Sequence, residues 1–118
     1  TLGDSLNKAI VINIDNPGAG TLVLTECEGV IVRWCSNPDF RRRLRELSKT
    51  INIDLASYQL LPTDATPLMR RGLKATSLMA FDRGAIRNYH WYTDTADGVE
   101  VGNLVKAVGI VLDLLKHL

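Results

Sequence analysis

The stretch KAIVINID, residues 8–15, decides the fold. It is short, rich in β-branched residues, apolar on both faces and closed by an acid. A strand that shows no polar face belongs inside a sheet that is covered on each side, the arrangement of layered α/β proteins. NPGAG at 16–20 breaks it. TLVLT (21–25) and GVIVRW (29–34), on either side of ECEG, read as a hairpin or two adjacent strands.

Working outward, SNPDFRRRLRELSKTI has the signals of a helix start. Ser36 or Asn37 can cap, Pro38 suits the first turn, and Asp39 meets the positive end of the dipole. Phe40, Leu44, Leu47 and Ile51 share one stripe, which leaves the arginines at 41–43 and 45 mainly on a solvated face. ASYQLLP (56–62) reads as a short strand, TDATPLMRRG (63–72) as a short helix ending at Gly72, and LKATSLMAF (73–81) as a second buried strand. A long loop follows. Val101, Leu104, Val105, Val108, Val111, Leu112 and Leu115 then mark an amphipathic helix over about 99–117. Strands alternating with helices predict an α/β layered sheet with flanking helices.

The 118 residues bound the chain to one domain, or a fragment of one, over 1–118. Fourteen basic residues against 13 acidic ones give no global field, so nucleic acid is not an expected partner. No apolar run approaches a membrane span, and no signal peptide opens the sequence. The chain begins at Thr rather than Met, which suggests processing or trimming and leaves the compartment undecided. Cys27 and Cys35 lack metal-type spacing, and free thiols are the expectation for a chain that needs no staple.

Ligands in open α/β sheets gather beyond the carboxyl ends of strands. Asp15 ends the first strand, and His90, in RNYHWYTDTAD (87–97), lies in the loop after the strand at 73–81. Imidazole and carboxylate suit zinc, with Asp64, Asp82, Asp94 and Asp97 as further carboxylates, although no spacing of the HExxH kind demands a metal. No GxSxG is present, neither cysteine has a nucleophile's surroundings, and GAGT at 18–21 lies between strands rather than at a helix start.

Read in order, AIVINIDNPGAG, LPTDATPLMRRGLKATSLMAF, YHWYTDTAD and the closing helix resemble the C-terminal half of the catalytic domain of the co-catalytic zinc exopeptidases, the family of bacterial leucyl aminopeptidases and glutamate carboxypeptidases. The resemblance covers most of residues 8–117 and rests on order and spacing. It implies part of a phosphorylase/hydrolase-like domain acting on peptide substrates with two zinc ions in a complete parent. It makes Asp15 a terminal ligand on one zinc and His90 on the other. Asp94 would steady the histidine loop, with a turn cap as its plain structural alternative. Asp64, beside Thr63 where the family usually has serine, would support the site or else cap the following helix. Ala65 and Trp91 depart from the family, which commonly has histidine and threonine there.

The family's other histidine, bridging aspartate and paired glutamates lie upstream of the first strand, where this sequence has seven residues. No catalytic residue is therefore expected within the chain, which should bind zinc weakly or not at all and be inactive alone. An open sheet edge or apolar face, with self-association through it, is expected too. The alternatives are a portion of a glutaminyl-cyclase-like single-zinc enzyme and a non-catalytic interaction module of the same fold.

Overall fold

A computed structural model describes residues 2–83, 86 and 95–118. Its described elements are α1 (Leu2–Lys8), β1 (Ile10–Ile14), β2 (Thr21–Glu28), β3 (Trp34–Cys35), α2 (Pro38–Ile51), β4 (Asp54–Tyr58), α3 (Thr66–Arg70), β5 (Lys74–Phe81) and α4 (Val101–His117), with a 3-10 turn at Ala96–Gly98 before α4. The fold is mixed α/β, a mixed sheet flanked by helices.

β1 and β5 run parallel, with Ile10 opposite Lys74 and Ile14 opposite Leu78. β5 then pairs antiparallel with Thr21–Leu24 of β2, and β4 runs parallel along the other edge of β2. Past Leu24, β5 parts from β2, and the two residues of β3 take its place against Cys27 and Glu28. Ser36 joins the diverging strands. Its N–H donates to Glu26 O, its hydroxyl donates to Leu73 O, and that hydroxyl accepts from Ala75 N–H.

One face of the sheet is an aliphatic core. Leu22, Leu24, Leu78 and Ala80 pack with Phe40 and Leu44 of α2 and with Ala107 and Leu114 of α4. α2 forms as its sequence dictates, the Asn37 side chain accepting from the N–H groups of Asp39 and Phe40. On the other face α3 lays Met69 over Ala75 and Val11. It ends in a Schellman pattern, Leu73 N–H to Leu68 O and Gly72 N–H to Met69 O, with Gly72 at φ 69°.

Several sequence expectations are corrected. β1 is less deeply buried than its apolar run predicts: Ile10 and Ile12 pack toward the aliphatic core and Val11 toward Met69, yet its residues stay half-buried or exposed, and among the described residues it pairs only with β5. β2 runs through ECE, so the turn falls on Gly29–Arg33 and GVIV is not a strand. Gly29 dictates this, since at φ 135° a Cβ would lie 2.0 Å from Val32 O. β4 sits earlier than 56–62 because Tyr58 stacks on Phe81, 5.5 Å between ring centroids, and closes the strand inside the core.

The cysteines are not free thiols. Cys27 and Cys35 face each other across the β2–β3 pair, Cα atoms 4.0 Å apart, and form a disulfide. In α4 most of the row read as core-facing points outward, with Val101 71%, Val105 66% and Leu115 67% exposed, and of that row Val111 packs against the core. The buried row is Asn103, Ala107 and Leu114, flanked by Ile110. Asn103 tolerates burial because its amide donates to Pro17 O and Gly20 O, 3.3 and 2.7 Å away. No described helix is long and apolar enough to cross a membrane.

Candidate functional site

Alternation along β2 sends Leu22 and Leu24 to the aliphatic face and Val23 and Thr25 to the other. Continued evenly, it would put Glu28 among the leucines. A bulge between Thr25 and Cys27 shifts the phase by one residue and turns Glu28 to the Thr25 side. There the fully buried carboxyl accepts from three hydroxyls: Thr25 Oγ1 at 2.6 Å, Thr66 Oγ1 at 2.7 Å, and Thr63 Oγ1 through a short bond.

The network extends across the sheet. Thr63 Oγ1 lies 3.1 Å from Ser77 Oγ, which accepts from Asn13 Nδ2 at 3.1 Å. Ser77 N–H donates to Thr25 Oγ1 and Thr76 Oγ1 donates to Thr25 O, so the point where β5 leaves β2 is closed by side chains in place of the ladder. Thr63 also accepts from Ala65 N–H, and its own N–H donates to Thr66 Oγ1. Each bond fixes another atom of the Thr63–Thr66 segment over the sheet. That segment carries Asp64.

Asp15 directly follows β1, on the side of the sheet that Asn13 faces. It is half-buried, and Asn16 Nδ2 donates to its Oδ1. Burial, then the negative charges of Asp64 and Glu28, push its carboxyl above the ordinary aspartate range, against the pull of the Asn16 amide. Asp15 and Asp64, far apart in sequence, are therefore electrostatic neighbours. Asp64 is exposed and does not cap α3: its N-cap position is Ala65, without a side-chain bond, and Thr63 makes the capping-type contact. Ala65 is wholly buried, packed with Met69 and Ala75.

His90, Trp91 and Asp94 lie outside the described residues. Among the described residues no three His, Cys, Asp or Glu side chains form a group that could hold a metal ion. Asp15 does suit a cation as one member of a larger set. It is a carboxylate at a strand's carboxyl end, kept in place by an amide, in a surplus of negative charge that a cation would relieve.

Sequence reasoning passed over Glu28, Thr25, Thr66 and Ser77. One signal was available. ATSLMA sets two hydroxyls within an otherwise apolar strand, and hydroxyls buried in a sheet require partners. Comparisons with protein-family models, with curated proteins and with solved structures find no match to this chain.

Proposed function

We propose that this chain is part of a zinc-dependent exopeptidase, the C-terminal half of its catalytic domain, with Asp15 as a terminal metal ligand. The observation that carries this reading is the half-buried Asp15 carboxylate at the end of β1, held by Asn16, together with the Thr63–Thr66 segment that Glu28 and Ser77 pin over the same face of the sheet. Asp15 would bind the ion through its carboxylate, with Asn16 limiting how the carboxylate turns. His90 would bind a second ion through a ring nitrogen, and Asp94 would steady its loop. Thr63 and Asp64 would support the site, Thr63 by tying the segment to Glu28 and Ser77. Zinc in such a site acts as a Lewis acid and a source of activated water for attack on a peptide carbonyl. The remaining ligands and the general base would come from sequence upstream of β1 in a longer parent. Among the described residues β1 pairs only with β5, and that edge with the exposed apolar side chains of α4 would suit such a missing half, or self-association when it is absent.

A zinc titration of the metal-free chain by calorimetry tests this. An incomplete ligand set should bind near millimolar, roughly 4 kcal/mol, and Asp15→Asn or His90→Ala should each remove part of the heat, the double substitution all of it. Binding that neither substitution changes would sink the reading. A non-catalytic module of the same fold is the second reading. It is favoured by Ala65, whose place in the core next to Met69 cannot supply an imidazole to the Asp15 side. That reading expects no specific zinc heat even when the chain is joined to its upstream half.

A further inference from the structure

The hairpin joining β2 to β3 ends in side chains that packing within the described chain does not use. Val30, Ile31 and Val32 are exposed, Ile31 almost completely at 96%. The tip is not loose. Gly29 N–H donates to Tyr58 O at 3.0 Å, and the Cys27–Cys35 disulfide closes the hairpin at its base. The bond to Tyr58 sets the tip beside the segment leaving β4, where Leu60 and Leu61 are exposed as well. A chain that folds to hide apolar surface has here stapled three large aliphatic side chains into water, with two more exposed on the segment beside them.

Cations surround them. Arg33 is exposed on the hairpin itself. Arg70 ends α3 with its guanidinium 5.5 Å from the centre of the Trp34 ring, at the hairpin's base. Arg71 follows, exposed, and Lys74 opens β5 at the same end of the sheet. Of the acids nearby in sequence or space, Glu28 turns inward to its three hydroxyls, Glu26 pairs with Arg45 and Asp39 pairs with Arg42, each pair at 3.0 Å, which leaves Asp64, exposed three residues after Leu61, as one acid against four cations.

We infer that this stapled hairpin tip docks on an anionic phospholipid surface, Val30–Val32 entering the acyl boundary while Arg33, Arg70, Arg71 and Lys74 meet the headgroups. Charge complementarity chooses the surface, since anionic lipid attracts basic residues placed within a Debye length. Shape and composition choose lipid over protein. Protein hot spots fill pockets and favour aromatic residues and arginine, whereas this tip is convex and aliphatic. Trp34, half-buried beneath Arg70, stands behind the tip where an amphipathic ring suits the interface between headgroups and chains. This inference does not depend on the metal reading.

The test is co-sedimentation of the full chain with phosphatidylcholine vesicles, with and without about one-third phosphatidylserine. Binding should appear with phosphatidylserine, fall at least tenfold in Ile31→Asp, and weaken in Arg33→Glu and at about 1 M salt, where screening shortens to roughly 3 Å. Val105→Asp, on the exposed side of α4, should bind as the unsubstituted chain does. Circular dichroism checks that each variant is folded. No binding to either vesicle would overturn the inference. So would binding that Ile31→Asp leaves intact or that Val105→Asp removes.

Discussion

The two faces of the sheet use the same three strands, β1, β5 and β2, in opposite ways. Toward α2 and α4 the strands offer Ile12, Leu22, Leu24 and Leu78, and cohesion comes from area removed from water. Toward α3 they offer Asn13, Thr25 and Ser77 beside Val11 and Ala75, and apolar contact with Met69 is joined by a hydrogen-bond network centred on one buried carboxyl. Filling a site with the wrong apolar shape costs in proportion to volume. Losing one partner from a polar network leaves other groups stranded, and the cost passes to its neighbours. The polar face is therefore a poor way to gain stability and a good way to fix the position of a segment.

Breaking the aliphatic face should have the largest effect. Leu78 is wholly buried between the two helices, and Leu78→Ala should cost about 3–5 kcal/mol in urea unfolding, through lost transfer energy and the cavity left behind. The polar face should respond almost as strongly to a single change. Glu28→Ala strands the hydroxyls of Thr25, Thr63 and Thr66 and should cost about 3 kcal/mol. Glu28→Leu combined with Thr25→Val, Thr63→Val and Thr66→Val should cost more than that, because the N–H groups of Thr63, Ala65 and Ser77 then lose the hydroxyls that accept from them. If the combined variant is no weaker than Glu28→Ala, those N–H groups have found other partners and the network does not fix the segment.

How far the sequence could be read follows the same division. α2 was legible because Asn37, Pro38, Asp39 and the Phe40–Leu44 stripe are local signals, settled within one turn. β5 was legible from an apolar run long enough to bury. α4 was found, but its face was not. A helix with Val, Leu or Ile on most sides gives periodicity nothing to select, and only Asn103, bonded to two carbonyls in the turn after β1, distinguishes the inner side. The hairpin was misplaced because β-branched residues favour strands in general, while Gly29 imposes a turn at one position. The disulfide depends on register across that turn, so an error in the turn hides the bond. Of the candidate site, Asp15 could be singled out as the acid that ends the first strand, and Thr63 and Asp64 through the family resemblance alone. Glu28 could not, because a one-residue bulge decides which face it joins, and nothing local in TECE announces the bulge.

The smallest expected effect lies at the rim of the polar face, and its sign is informative. The folded state holds the Asp15 carboxyl above its ordinary value of 3.8, so between that value and the folded one the native chain binds more protons than the unfolded chain. Stability contributed by Asp15 must then fall as pH rises through that window, the reverse of a salt-bridged aspartate, and stay reduced above it. Asp15→Asn should raise the unfolding midpoint slightly at neutral pH and leave it unchanged below pH 3.8, measured by thermal melts across the acid range. Partial exposure keeps the gain small, since solvent screens the Asp64 charge. Were Asp15→Asn to lower the midpoint at neutral pH instead, Asp15 would be an ordinary structural partner of Asn16, and the polar face would lose its claim to be a site.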